Sequence, residues 1–316
     1  MAAFGFFHYV YLKALVTFIR SVVLLRDKLS PRTPDSTKWR QIRIPTRDPG
    51  RFIEGRAYGP QPQTSNGKLP VLINWHGSGF MVPLMGTDHA FCSRVSRETG
   101  FLVLDVDYRK APENPYPGPL DDVEDTLRWI ASDDQKELLG ADANQVAVSG
   151  FSAGGNLALV AASSLRHEVQ GINVPLVLAF YPVTDISINP DEKTVPNPIT
   201  PIPNWLARLF NDCYAPDETT RTNPRVSPGL ADPSSYPDTV LIITCEGDNL
   251  SSEANDLAAR IDAADDGRRT VIHRCLPGIP HGWDKTCKEG TNGWAQREVA
   301  YSLAVETLKE TLRSRG

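Results

Sequence analysis

Short apolar runs separated by helix-forming stretches constrain the fold of this 316-residue chain more than any other feature. The runs have nearly continuous hydrophobic faces, which is typical of strands buried on both sides of a parallel sheet. They occupy residues 69–75, 101–108, 145–151, 175–183, 239–245 and 270–276, and the helix-like stretches occupy 90–99, 120–132, 153–165, 253–264 and 293–313. This alternation predicts the α/β class, with one open, mostly parallel sheet covered by helices on both faces.

Two earlier segments, residues 39–48 and 52–60, alternate apolar and polar residues and are joined by Pro49 and Gly50. This pattern predicts an antiparallel pair of strands ahead of the parallel ones, which brings the expected sheet to eight strands. A further segment, residues 186–223, is longer than the usual connection inside a compact sheet. Insertions of this kind are often lids, so we expect residues 186–223 to be one.

Composition excludes several classes of function. Lys and Arg number 33 against 38 Asp and Glu, a formal net charge of −5, so no basic surface for nucleic acid is expected. The five cysteines lack any CxxC pair and fit neither a disulfide framework nor a metal site. We therefore expect free thiols in a reducing compartment, a cytoplasmic location and no bound metal.

The first thirty residues are apolar enough to suggest a signal or a membrane anchor. However, Lys13, Arg20 and Arg26 interrupt the run before it reaches the ~20 residues that a span needs, and no basic segment precedes a small-residue cleavage site. The segment is predicted to be an amphipathic helix of the mature protein that docks over its own active site. Lying on a membrane surface is the lesser alternative, so a membrane partner is not expected.

The stretch VAVSGFSAGGN, residues 146–156, predicts a nucleophile. It places Ser152 in the pattern G-x-S-x-G between Gly150 and Gly154, directly after a predicted buried strand and before a predicted helix. Flanking glycines allow the sharp turn that exposes such a serine. Because a serine hydroxyl is a poor nucleophile by itself, it needs a histidine held by a carboxylate.

The expected chain order after the serine is acid and then histidine. His281 lies in the loop after the last predicted strand, at the sheet edge where open α/β sheets assemble their sites, whereas His273 falls inside that strand. The loop after the preceding strand offers Glu246 and Asp248. Asp248 is favoured because we expect Glu246 to face solvent, and either could orient the imidazole.

Five ordered motifs resemble those of the hormone-sensitive lipase family of α/β-hydrolases. Its H-G-G-G, Y-R-L-A-P-E, G-D-S-A-G-G-N, D-P-L-x-D-E and H-G-F motifs have counterparts at residues 76–79, 108–113, 150–156, 248–253 and 281–283. The resemblance implies one α/β-hydrolase domain over residues 1–316, with cap elements at 1–38 and 186–223. It also implies a cofactor-independent carboxylic ester hydrolase, and we expect a monomer or homodimer.

The resemblance also assigns binding roles. The backbone N–H groups of Gly77, Ser78 and Ala153 are the predicted oxyanion donors, and the predicted walls of the substrate site are Phe80, Phe151, Trp205 and Trp283. Two positions depart from the family pattern. Phe151 replaces an acidic residue, and Ser78 replaces a glycine, where it must tolerate an unusual φ or restrict the loop.

The predicted substrate is a small to medium apolar carboxylic ester. Three alternatives stay open at this point. The same triad could act on an amide, formamide or lactone, or in biosynthetic acyl transfer or rearrangement of a specialised metabolite. The chain could also be a non-catalytic small-molecule receptor, or a surface lipase acting on aggregated lipid through its N-terminal helix.

Overall fold

The computed structural model describes residues 4–29, 37–60, 68–264 and 267–313. Within them the strands form one eight-stranded sheet in the order β1-β2-β4-β3-β5-β6-β7-β8. They are β1 (Trp39–Pro45), β2 (Phe52–Tyr58), β3 (Leu69–Trp75), β4 (Leu102–Val106), β5 (Ala141–Phe151), β6 (Leu176–Phe180), β7 (Thr239–Cys245) and β8 (Thr270–Leu276). The first two strands run antiparallel, and those from β3 to β8 run parallel.

The helices flank this sheet and connect its strands. They are α1 (Phe6–Leu29), α2 (His89–Thr99), α3 (Gly118–Ala131), α4 (Lys136–Leu139), α5 (Ala153–Val160), α6 (Arg166–Glu168), α7 (Asn204–Tyr214), α8 (Ser251–Ala263) and α9 (Asn292–Arg313). A π-helical turn, Ala161–Leu165, joins α5 to α6. The element order and the antiparallel lead-in follow the sequence-based expectation, with boundaries shifted by a few residues.

Two layers of buried side chains cover the two faces of the sheet. One layer centres on Ile73 and Val148 and receives α3, α5 and α8, while the other centres on Leu72 and Phe180 and receives α2 and α9. The nearly continuous hydrophobicity of the central strands has this cause, because both faces of each strand are buried. Because β3 to β8 run parallel, the carboxyl ends of β3, β5, β7 and β8 lie at the same edge of the sheet.

Above that edge, α1 and α7 pack against each other and against the loop after β3. Leu12 and Val16 of α1 and Leu209 and Cys213 of α7 share one apolar cluster with Met81. The segment between β6 and β7 contains α7. The N-terminal helix and the long insertion therefore lie together on the side of the sheet where the predicted site residues converge.

Candidate active site

Ser152 lies in a strained turn between β5 and α5. Its φ of 54° and ψ of −118° are unusual for a residue with a side chain, and such strain clusters at functional sites. The turn is tight because a Cβ on Gly150 would lie 2.1 Å from the carbonyl oxygen of Gly154, and a Cβ on Gly154 would lie 1.9 Å from that of Trp75. Both glycines of the motif are thus required by close backbone approach.

The structure brings His281 and Asp248 to this serine. The Nε2 atom of His281 lies 2.9 Å from the Ser152 Oγ, and its Nδ1 lies 2.7 Å from the Asp248 Oδ2. The second oxygen of Asp248 accepts a hydrogen bond from the backbone N–H of Leu250 at 3.0 Å. Asp248 is buried, whereas the imidazole keeps some exposure. An aligned serine, imidazole and carboxylate can move a proton from the hydroxyl to the ring.

Glu246 and His273, the alternatives to Asp248 and His281, make hydrogen bonds elsewhere. Glu246 is exposed and accepts a hydrogen bond from the backbone N–H of Gly278 at 2.8 Å. His273 lies on the edge strand β8, with its Nε2 2.9 Å from the Asn255 Oδ1 and 3.2 Å from the Thr244 Oγ1. Neither residue approaches the serine through any of these contacts.

The loop after β3 passes directly beside the nucleophile. A Cβ on Gly77 would lie 3.3 Å from the Ser152 Cβ and 3.1 Å from the Phe151 carbonyl oxygen. Ala153, whose N–H is the third predicted donor, opens α5 immediately after the nucleophile. The predicted oxyanion donors Gly77 and Ala153 therefore flank Ser152, and Ser78 follows Gly77 in the same loop.

His76 braces this loop from behind. Its ring is buried, with Nδ1 3.0 Å from the Gly77 carbonyl oxygen and Nε2 3.1 Å from the Asp107 Oδ1. It stacks on Tyr108 at a centroid distance of 4.9 Å, and Tyr108 donates a hydrogen bond to the His76 carbonyl oxygen at 2.8 Å. The Ser78 Oγ lies 2.6 Å from the Tyr108 hydroxyl. The hydroxyl of Ser78 is thus engaged behind the loop.

Comparison with known proteins identifies the family of this chain. A family model described as alpha/beta hydrolase fold matches residues 72–285, which include Ser152, Asp248, His281 and the loop after β3. The chain belongs to the α/β-hydrolase family. Among the relatives of this hydrolase, the ethyl acetate hydrolase of Pseudomonas putida is 28% identical over 240 residues, 76% of this chain and 74% of its own.

A second relative, an AB hydrolase superfamily protein of Schizosaccharomyces pombe, is 31% identical over 244 residues, 72% of this chain and 67% of its own. The solved structure of EstE1, a thermophilic carboxylesterase from a metagenomic library, superposes with a TM-score of 0.76 at 28% identity, covering 93% of this chain and 97% of that one. These findings confirm the predicted family, the fold class and the class of enzyme, since the relatives are hydrolases and esterases of this family.

Two of the four predicted wall residues, Phe151 and Trp283, are buried in the core. Phe151 is buried on the far side of the sheet, stacked on Phe180 at 4.4 Å. Trp283 is buried in the same layer and donates from its indole N–H to the Gly293 carbonyl oxygen at 3.0 Å. Trp205 is 58% exposed. Phe151 faces the core because consecutive strand residues point to opposite sides of a sheet.

Other apolar side chains approach the active-site loops instead. A Cβ on Gly79 would lie 2.6 Å from the Phe210 ring of α7, and a Cβ on Gly247 would lie 2.6 Å from the Ile199 Cβ. Phe80, the fourth predicted wall residue, is buried and stacks on Tyr214 of α7 at 3.8 Å. Phe210 and Trp205 both lie in the insertion 186–223, but the sequence did not show which of the two meets this loop.

The insertion is clamped to the acid loop through backbone contacts. Ile199 donates to the Gly247 carbonyl oxygen at 2.9 Å, and Asn249 exchanges two side-chain hydrogen bonds with the backbone of Ile202 at 3.2 and 3.1 Å. At the start of α8, Glu253 accepts from the backbone N–H of Thr184 at 2.7 Å. The loop that carries Asp248 and the start of α8 are therefore tied to both ends of the part of the insertion that precedes α7.

Sequence reasoning missed a buried ionic group that contacts Phe151, the residue before Ser152. The Lys285 ammonium lies 2.6 Å from the Asp88 carboxylate, 2.8 Å from the Asp284 carboxylate and 3.5 Å above the Phe151 ring centroid. Burial alone would raise the pKa of Asp284, but Lys285 and the hydroxyls of Tyr181 and Tyr301 outweigh it and hold that pKa below its usual range. The Phe151 ring, which stands where the family motif has an acidic residue, thus faces the Lys285 ammonium.

Proposed function

We propose that this hydrolase is a serine carboxylesterase acting on small to medium apolar esters through a covalent acyl-enzyme. The observation that carries the proposal is the imidazole of His281, held between the Ser152 hydroxyl and the Asp248 carboxylate at 2.9 and 2.7 Å. This arrangement matches the acid, base and nucleophile roles that acyl transfer requires.

In the first half of the reaction, Ser152 Oγ forms a bond to the acyl carbon while its proton passes to His281 Nε2. The carbonyl π electrons move onto oxygen, and the N–H groups of Gly77, Ser78 and Ala153 stabilise this oxyanion. Collapse re-forms the carbonyl and breaks the bond to the alcohol, which leaves with the proton from His281. The acyl group then remains on Ser152.

In the second half, His281 takes a proton from water while the water oxygen attacks the acyl carbon. The second tetrahedral intermediate collapses, the bond to Ser152 Oγ breaks, and the serine regains its proton from His281. Asp248 stays ionised throughout, because its role is to hold the ring tautomer with Nδ1–H and to stabilise the transient imidazolium.

Two observations support the preference for a small to medium apolar ester. Ile199 and Phe210 bring apolar surface against the loops that carry Asp248 and the oxyanion donors, and both approach the loop backbone closely. An apolar and confined site favours apolar groups of limited size. The name of the Pseudomonas putida relative, ethyl acetate hydrolase, points in the same direction.

The test combines labelling with a substrate series. The wild type should react with a fluorophosphonate probe at Ser152 and hydrolyse p-nitrophenyl acetate and butyrate, while Ser152→Ala should lose labelling and at least ~10⁴-fold in kcat. Ser187→Ala, a change at an exposed serine of the insertion, is the matched control and should retain both. If Ser152 labels but esters of every chain length are inert while amides or lactones turn over, the carboxylesterase proposal is wrong.

A further inference from the structure

The outward face of α1 carries a continuous apolar stripe. Phe7, Tyr11, Phe18, Leu25 and Leu29 are 87, 62, 67, 59 and 74% exposed. Their spacing of four or seven residues places them on one side of a helix, along about 33 Å at 1.5 Å per residue. We call these five residues the outer face of α1. Isolated exposed apolar residues are ordinary, but a contiguous patch of this length marks an interaction site.

Docking of α1 on the hydrolase does not cover this face. The opposite side of the helix makes the contact, with Leu12 and Val16 buried in the apolar cluster that they share with α7 and Met81. Lys13 and Arg20 reach Glu113 at 2.7 and 2.6 Å. The helix is therefore held in place by one side while the outer face stays open to solvent.

By length and composition alone, α1 could cross a membrane. Residues 6–26 include an 18-residue window of mean hydropathy 1.4, of which 11% is buried inside the molecule. However, Lys13 and Arg20 lie within this stretch and are paired with Glu113 of the catalytic domain. A helix fixed along the surface of a folded domain in this way fits a position parallel to a bilayer, with its apolar face at the headgroup boundary.

The charge of the helix indicates which surface covers it. Residues 6–29 contain four basic residues, Lys13, Arg20, Arg26 and Lys28, and one acidic residue, Asp27. Counting also the Glu113 carboxylate that Lys13 and Arg20 share, the helix keeps a net charge of +2 (4 minus 2) in a chain whose formal charge is −5. Pairing α1 with α1 of a second copy would bring two positive helices together. An anionic lipid surface is complementary in charge and attracts basic residues close to it.

We propose that the outer face of α1 docks this protein onto a bilayer surface that contains anionic phospholipid. Aromatic and aliphatic side chains of the outer face enter the headgroup boundary, and the exposed Lys28 near the end of the helix binds the lipid phosphates. Because α1 packs on α7 and on the loop after β3, docking brings the cap region to the bilayer. The proposal concerns binding and holds whether or not Ser152 is the nucleophile.

Vesicle flotation with the full chain tests this directly. Vesicles of phosphatidylcholine with about a quarter phosphatidylserine should carry the wild type upward at low salt, and the amount bound should fall as salt rises. Phe18→Ser combined with Leu25→Ser should lower the partition coefficient by at least ~10-fold, because two apolar side chains no longer enter the bilayer. Phe18→Ser alone should give an intermediate loss.

A matched pair of controls separates this effect from a general loss of apolar surface. Leu138→Ser with Val299→Ser removes two side chains that are 48 and 44% exposed on α4 and α9, and this variant should float like the wild type. Lys28→Glu should weaken flotation severalfold on the anionic vesicles and have little effect on pure phosphatidylcholine. Hydrolysis of p-nitrophenyl acetate and the circular dichroism spectrum report whether each variant is folded.

Several results would overturn the proposal. The proposal is wrong if the wild type stays at the bottom of the gradient. It is also wrong if the Leu138→Ser, Val299→Ser control loses as much vesicle binding as Phe18→Ser with Leu25→Ser. A wild type that does not float but elutes as a dimer, which Phe18→Ser with Leu25→Ser converts to a monomer, assigns the outer face to a second copy. Resistance of the bound protein to extraction with alkaline carbonate would instead assign α1 to a membrane span.

Discussion

The hydroxyl of Ser78 should contribute little to catalysis, although it lies in the oxyanion loop. The phenol of Tyr108 has one proton and donates it to the His76 carbonyl oxygen at 2.8 Å. In the 2.6 Å contact between Tyr108 and Ser78, the serine is therefore the donor. Its proton points behind the loop, so the side chain is not available to an oxyanion, and the backbone N–H of Ser78 stays the proposed donor.

The geometry sets the expected magnitudes. Ser78→Ala removes one buried neutral hydrogen bond and leaves the Tyr108 donor satisfied, so we expect a loss of about 0.5–1.5 kcal/mol in the free energy of unfolding. The change in kcat/KM should stay within ~3-fold. Had the hydroxyl been an oxyanion donor, its removal would cost ~2.7–4 kcal/mol of barrier, a fall of roughly 10²–10³-fold in kcat.

Tyr108→Phe should behave differently. It keeps the ring that stacks on His76 but leaves the Ser78 hydroxyl and the His76 carbonyl oxygen buried without their partner, which costs about 1–3 kcal/mol of unfolding free energy. Urea denaturation gives the stability changes and p-nitrophenyl acetate hydrolysis gives kcat/KM.

Ser78→Gly separates the hydroxyl from the shape of the loop. The left-handed backbone that was expected to strain a residue at position 78 falls instead on Gly79 and Phe80, with φ of 54° and 60°. Ser78→Gly therefore relieves no strain there and only loosens the loop. A 10²-fold fall in kcat for Ser78→Ala, with stability unchanged, would refute the assignment of the serine proton to Tyr108.

Three further changes probe other contacts. Asp248→Asn should lower kcat by ~10⁴-fold, because an amide stabilises the wrong tautomer of His281, whereas Glu246→Gln should leave kcat almost unchanged; p-nitrophenyl ester kinetics distinguish the two. Lys285→Met leaves two buried carboxylates without their cation and should lower the unfolding free energy by about 3 kcal/mol in urea titrations, and an unchanged midpoint would contradict this. For Glu113, burial would raise the pKa, but bonds from the two basic residues of α1 outweigh it and lower the pKa to about 2. The stability that Glu113 adds should thus be fully present above its unfolded pKa of about 4.3 and lost as the pH falls towards 2. In thermal unfolding, the difference in melting temperature between the wild type and Glu113→Gln should shrink over that pH range.

The arrangement of the triad could be predicted because it depends on topology. Parallel strands end at the same edge of a sheet, so a serine after β5, a carboxylate after β7 and a histidine after β8 must lie near one another. Chain order and strand ends are both readable from hydrophobic runs. These two features placed Ser152 and His281 near one another and left the acid between Glu246 and Asp248.

The walls of the site could not be predicted in the same way. An amphipathic helix shows which residues share a face, but not which of them meets the site. In α7, Phe210 lies against Gly79, while Trp205 is 58% exposed. Phe151 was open to a better prediction, since the residue before an exposed strand-end serine must point to the other side. The contact between Phe151 and Lys285 joins positions 134 residues apart (285 minus 151), so no short sequence pattern could have predicted it.

The clamp between the insertion and the acid loop has a consequence for protein engineering. Ile199 and Ile202 bind the backbone of Gly247 and the side chain of Asn249, on either side of Asp248. A cap segment transplanted from another esterase would bring its own contacts to this loop and displace the carboxylate. Chimaeras should therefore exchange residues 186–223 and 246–253 as one module, and specificity libraries should begin at Phe210, which touches the oxyanion loop and not the clamp.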